Sequence, residues 1–156
     1  LNPKTTLETL IPDFQGNKIN IDRLIKVAPE VISHNLETVR RLTREVRIQA
    51  KYDRSLEVLS YLKEKGVNRT KSGIMLGLGE TEEEVYETLN DLTQAKVDIV
   101  TMGQYLQPTK NHLPGSSFIT PDDFKKYEKY ALNLGFRHVE SGPLVRSSYK
   151  AHKHIS

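Results

Sequence analysis

Residues 70–85 read TKSGIMLGLGETEEEV, with glycines at 73, 77 and 79 directly before a run of acidic residues. The first part has the apolar, β-rich character of a strand. Thr81 and Glu84 then form a T-x-x-E capping box, after which Val85, Leu89 and Leu92 fall on one helical face. Strand, glycine turn and capped helix together make one βα unit. The spacing G-x-x-x-G-x-G matches neither the dinucleotide nor the P-loop fingerprint, and no G-K-[ST] is present. Gly77 and Gly79 allow backbone to approach a ligand closely. A helix N-terminus ordinarily favours phosphate, but Glu80, Glu82, Glu83 and Glu84 would repel one here. A neutral adenine or a cationic group suits this setting better; a tight turn before a good cap explains the same residues equally well.

Outward from this unit the same alternation recurs, which points to consecutive βα units and a parallel sheet. TTLETLIPDF (5–14) reads as a strand, IDRLIKVA (21–28) as a short helix and EVISHNLET (30–38) as a strand. Between Asp53 and Lys65, Leu56, Leu59 and Leu62 recur at helical spacing, and Gly66 closes the run. VDIVTMGQYL (97–106) reads as a buried strand. Thr120 followed by Pro121 starts a helix carrying Phe124, Tyr127, Ala131 and Leu134, ended by Gly135. FRHVESGP (136–143) is the last predicted strand. The loop PTKNHLPGSS (108–117) is too short to separate two domains. Residues 1–156 are therefore read as a single α/β region, half a barrel or an open sheet, with residues 142–156 as a C-terminal tail. A sheet left open has an exposed edge that something else must cover.

Composition narrows the function classes. The 156 residues are 37% hydrophobic and 28% charged, with mean hydropathy −0.53 and a pI near 9.0. Twenty-three basic against 20 acidic side chains, a net +3, is too even to argue for nucleic acid. No apolar run reaches the roughly 18 residues of a membrane span, and the start of the chain lacks a signal-peptide pattern, which favours the cytoplasm. The absence of cysteine rules out disulfides and thiolate metal sites within these residues. The chain begins without Met and in mid-pattern, as a piece of a longer protein would.

Polar and glycine residues gather where predicted strands end, the place where parallel α/β proteins bind ligands. Asn35 and Glu37 in HNLET, two apart and so on one strand face, offer an amide and a carboxylate for ribose hydroxyls or an ammonium. They could equally cap and pair locally, with Asn35 turning the chain and Glu37 meeting Arg40 or Arg41. His34 reads as a structural histidine. In RSSY (146–149) a guanidinium, two hydroxyls and a phenol follow a Gly-Pro bend; without an adjacent base the serines are weak nucleophiles, and composition alone makes this a solvated tail. The remaining histidines, His152 and His154 in that tail included, form no convincing site.

The strings LIPDFQG, HNLETV, TKSGIMLGLGETEEEV, DIVTMGQYLQPTKNHLP and GFRHVESGPLVRSSYKA closely resemble the lipoyl synthase family of radical S-adenosylmethionine enzymes, in order and over nearly the whole chain. The resemblance implies a partial (β/α) barrel, the C-terminal portion of a radical S-adenosylmethionine (β/α)6 barrel plus tail, with the cofactor across the carboxyl ends of the strands. It implies sulfur insertion at C6 and C8 of an octanoyl chain on a lipoyl-carrier protein. S-adenosylmethionine and two four-iron four-sulfur clusters serve that reaction, one cluster cleaving the cofactor to a 5′-deoxyadenosyl radical and the other donating sulfur. Carried over by position, Asn35 and Glu37 match contacts to S-adenosylmethionine, and Arg47 and Lys71 are candidates for its carboxylate. Gly73, Gly77, Gly79 and Glu80 belong to the element beside the adenine, with Gln104 and Leu106 at the next strand end. Ser147 matches a serine ligand of the auxiliary cluster, and Arg146 helps position or release it.

Two features depart from the family. Its cysteine motifs, which hold both clusters, precede everything present here, so a missing N-terminal half or a partner chain must supply them. HLPGSSFITP carries Gly115, Ser116 and Ser117 where the family has an apolar and then polar residues; Ile48, where proline is frequent, is a smaller change. The stretch is therefore expected to be inactive alone. A non-catalytic binding or scaffold module of the same descent is the alternative, and the retained RSSY argues against it.

Overall fold

A computed structural model of the chain describes residues 4–47, 49 and 51–155, so that Ile48 lies outside the described residues. Five strands, β1 (Glu8–Leu10), β2 (Val31–Ser33), β3 (Arg69–Leu76), β4 (Ile99–Gln104) and β5 (His138–Gly142), form one sheet in the order β1-β2-β3-β4-β5. Every pairing is parallel. Because each strand adds on the same side of its predecessor and parallel crossovers are right-handed, the crossover helices all fall on one face. Successive addition without a reversal of order is barrel winding rather than the doubly wound kind. Among the described residues nothing joins β1 to β5, so the sheet is a partial barrel with a convex helical side and a concave side crossed by the C-terminal segment.

The helices are α1 (Lys18–Ile25), α2 (Thr43–Val46), α3 (Tyr52–Glu64), α4 (Glu82–Gln94) and α5 (Pro121–Leu134). Local chemistry accounts for their ends. Asn17 accepts from the N–H of Ile19 and Asn20, starting α1 three residues before the apolar pattern predicted. The Thr81–Glu84 capping box opens α4. Thr120 accepts from Asp123 N–H at the head of α5, and Gly135, at φ 98°, ends it. The predicted strand 5–14 shortens to three residues because Asp13 turns the chain, accepting from Gln15 N–H at 3.0 Å.

Side chains alternate across the sheet. Ile74 and Leu76 of β3 and Val100 and Met102 of β4 enter the core shared with Leu59, Leu89, Leu92, Phe124 and Ala131 of the helices. A smaller cluster of Ile11, Ile21, Ile32, Val58, Leu62 and Val67 completes it under β1 and β2. The intervening residues, Lys71, Gly73 and Met75 on β3 with Thr101 and Gly103 on β4, belong to the concave face.

Candidate functional site

The concave face holds a cleft of about 220 Å³ near the carboxyl ends of the strands, lined by Asn35, Glu37, Gly73, Gln104, Leu106, Arg146 and Ser147 among others. This is below the roughly 300 Å³ at which small-molecule pockets begin, so a nucleoside-sized ligand would project through the open side. Residues from β2's extension, β3, β4 and the C-terminal segment thus meet at one place. Seven of the sequence-predicted site residues are among them.

Two features of the cleft point to a ligand. Asn35 Oδ1 is buried and has no hydrogen-bond partner; a Cβ built on Gly73 would lie 3.1 Å from it. A buried unpaired acceptor costs on the order of 1–3 kcal/mol, offset when a bound hydroxyl or N–H donates to it. Glu37 adopts φ 71°, a left-handed conformation unusual for a non-glycine residue. It is pinned there by bridging to β3, its N–H donating to Gly73 O at 3.0 Å and its carbonyl accepting from Met75 N–H at 2.8 Å. The local pairing considered for Glu37 does not form: Arg40 pairs with Asp53 and Asp91, and Arg41 with Glu84 at 2.7 Å. Nor does Asn35 turn the chain; Glu37 does.

Other predicted residues sit elsewhere or act differently. Lys71 is not in the cleft. It lies nearer the amino end of β3, fully buried, its ammonium 2.8 Å from Glu8 Oε1, which corrects the expectation that it reaches a cofactor carboxylate. Arg47 lines a neighbouring concavity with Asp13, Gln15 and Arg54, and reaches the site through Asn35, whose carbonyl accepts from its Nη1 at 3.2 Å. Gly77 and Gly79 open space for the chain's own loop. A Cβ on Gly77, at φ +96°, would fall 2.3 Å from Gln104 Nε2 and 2.4 Å from Ser117 O. Glu80 folds back to accept from the N–H of Gly77 and, at 2.9 Å, of Leu78. Gln104 lines the cleft, yet its amide is engaged with the 115–119 loop, donating to Ser117 O at 2.9 Å and accepting from Ile119 N–H at 2.9 Å. The Gly115-Ser116-Ser117 segment is therefore tied to the strand ends.

The acidic turn is quieter than its composition suggests. Glu82 pairs with Lys126 and Glu84 with Arg41, and the hydrogen bond from Arg41 holds the Glu84 carboxyl below its usual range. With Glu80 already accepting from the Gly77 and Leu78 N–H groups, phosphate has no place here. His34 is structural: its Nδ1 and Nε2 lie 2.9 Å from Ile11 O and Ser55 Oγ, and burial lowers its pKa.

The C-terminal segment is not a solvated tail. Val145 is buried, and the backbone passes so close over β4 that a Cβ on Gly103 would stand 2.3 Å from Val145 O. This crossing brings Arg146 and Ser147 over the cleft. Farther on, His154 is buried inside the barrel beside Lys71 and Glu8. Sequence reading missed Glu8 and His154, since nothing local marks partners 63 and 83 residues from Lys71.

Asn35 Oδ1 and the narrow Gly73 floor have the chemistry and shape to fit the nucleoside end of S-adenosylmethionine. The chain offers no thiolate to an iron–sulfur cluster, and among the described residues no group of three His, Asp or Glu side chains could hold a metal ion. Also among them, no helix is long and apolar enough to cross a membrane.

Residues 2–92 match the family model of the radical SAM superfamily. Lipoyl synthase of Flavobacterium johnsoniae is 79% identical over 155 residues, 99% of this chain and 54% of that protein. Lipoyl synthase of Christiangramia forsetii is 75% identical over 156 residues, 100% of this chain and 53% of that protein. The chain spans about half the length of the curated relatives it matches. Streptococcus suis SuiB, in its S-adenosylmethionine-bound crystal structure, overlays with a TM-score of 0.58 at 14% identity, across 78% of this chain and 29% of that one; that likeness bears on the fold alone.

Proposed function

We infer the function from one premise: the chain belongs to the radical SAM superfamily. It supplies the C-terminal portion of a lipoyl synthase, the part that holds the nucleoside end of S-adenosylmethionine and carries the tail. The observation that carries this reading is the unpaired Asn35 Oδ1 at the floor of a cleft over which Arg146 and Ser147 pass. High identity to lipoyl synthases of two bacteria supports it. The enzyme acts in the cytoplasm on an octanoylated lipoyl-carrier protein.

The residues divide the work. Asn35 accepts a ribose hydroxyl, and Glu37, held by its bridge to β3, presents a carboxylate to the methionine end. Backbone at Gly73 and the Gln104–Leu106 strand end flank the base. Ser147, at the rim of the cleft, would offer a hydroxyl oxygen to the auxiliary cluster, a harder and weaker ligand for iron than thiolate. Arg146, whose Nη1 donates to Val145 O at 2.6 Å, stiffens the crossing that presents Ser147. When bound, S-adenosylmethionine and the clusters supply radical hydrogen abstraction and the sulfur atoms. The cluster cysteines come from outside these residues, and this stretch is inactive without them.

The test joins this chain to the segment of the Flavobacterium johnsoniae relative that it does not cover, and compares 5′-deoxyadenosine with lipoyl product. Asn35→Leu depresses both, by about two- to thirteenfold if one hydrogen bond to the ribose is lost. Ser147→Ala lowers lipoyl product per 5′-deoxyadenosine. Parental yields of both from both variants would overturn the reading.

A further inference from the structure

The concave face has a second polar cluster, apart from the cleft. Register aligns Ser33 with Lys71, Lys71 with Ile99, and Ile99 with His138, so one layer of inward side chains crosses four strands. Glu8 joins it from β1: its Oε1 accepts from Lys71 Nζ at 2.8 Å and from Ser33 Oγ at 2.7 Å. The Lys71 ammonium is fully buried and Glu8 partly so, and an ammonium taken out of water is tolerated only when its hydrogen-bonding capacity is met. His154 meets part of it. Fully buried at the end of the C-terminal segment, it places Nδ1 3.3 Å from Lys71 Nζ. Lysine can only donate, so Nδ1 accepts and the docked ring is the neutral Nε2–H tautomer.

Residues 143–155 contain no strand or α-helix. Ala151–Ile155 form one short 3-10 helix, and the backbone hydrogen bonds around it are single turns, such as Tyr149 N–H to Arg146 O and Lys153 N–H to Lys150 O. The contacts that attach it include Val145 on Gly103, Lys150 with Glu140 at 3.5 Å, and His154 on Lys71 and Glu8. Lys150 is exposed and its pair is weak. Ser147 therefore lies between two buried anchors, one at Gly103 and the other at Lys71.

We propose that His154 is a positioning residue: docked as a neutral imidazole on the buried Lys71 ammonium and its Glu8 partner, it latches the C-terminal segment inside the barrel and so holds Ser147 at the cleft. The role assigned to Ser147 rests on the function proposed above; the latch itself does not. Lys71 from β3, His138 and Glu140 from β5 and Glu8 from β1 all face the ring. Burial first, and then the Lys71 ammonium, pull its pKa down from 6.5 to about 4, against the opposing pull of Glu8. Protons therefore prefer the released segment. The stability that the neutral ring contributes to docking is fully present above pH 6.5 and is lost progressively as pH falls towards 4.

The experiment uses the same chimera and measures amide exchange at Tyr149, Ala151 and Lys153, as protection factors, between about pH 7.5 and pH 5. In the parent, protection falls with acidification. His154→Ala loses it at every pH, by at least about tenfold at the alkaline end, and lowers lipoyl product per 5′-deoxyadenosine. His154→Gln keeps a neutral acceptor; it restores both protection and product ratio and removes the pH dependence. A His154→Ala chimera with parental protection, or parental protection that ignores pH, overturns the latch. Restored protection in His154→Gln also separates a lost latch from a general folding defect. Exchange decides the latch even if the parent makes no lipoyl product, a result that would count against the functional reading alone.

Discussion

Replacing Gly103 with alanine tests whether the C-terminal segment depends on close backbone passage over β4. The new Cβ would stand 2.3 Å from Val145 O, over 1 Å inside the roughly 3.5 Å of an ordinary contact. The obstacle is a backbone carbonyl, which cannot swing aside as a side-chain tip would. Either the sheet or the segment must move. β4 is paired along its length on both sides, whereas the segment has no strand pairing and is held by turns, one short 3-10 helix and its anchors, so the segment yields. Overpacking of this kind costs about 1–3 kcal/mol, which raises exchange at the Val145, Tyr149 and Ala151 amides about five- to a hundredfold. Gly103 has no positive φ, so alanine suits the strand and should add about 0.5–1 kcal/mol of its own by restricting the unfolded chain. The global melting temperature is then expected to change by only a few degrees. Hydrogen-exchange mass spectrometry alongside thermal unfolding makes the comparison. Parental exchange in the segment with a large fall in melting temperature would refute the reasoning, because the strain would then lie in the sheet.

Gly77→Ala strains a position at φ +96° and drives a Cβ into Gln104 Nε2 and Ser117 O; we expect a loss of about 2–4 kcal/mol in chemical denaturation, with the 115–119 loop released. Acid should destabilise the fold through His34. Its pKa is lowered chiefly by burial, so the stability tied to the neutral ring is present above pH 6.5 and is lost as pH falls below it. His34→Gln should flatten that part of a stability–pH profile measured in urea.

The elements that sequence determined are those whose cause is local. The Thr81–Glu84 box, the Thr120–Pro121 start and the Gly135 stop each act through atoms a few residues apart, and each appears where the pattern places it. Alternating βα units dictated a parallel sheet, and motif order brought Asn35, Glu37, Gly73, Gln104, Leu106, Arg146 and Ser147 to one cleft. Tertiary structure decided what each polar group faces. Strand periodicity assigns Lys71 to the concave side but cannot show that Glu8, distant in sequence, takes its ammonium before any cofactor could. Glycines 77 and 79 look the same in sequence whether they admit a ligand or, as here, the chain's own loop. His154 belongs to a segment with no periodicity, and its burial follows only from a partial barrel whose concave side has room for an imidazole beside an ion pair. Partner identity in a parallel sheet is set by register between strands 20 or more residues apart, and that register exists only once the helices have packed.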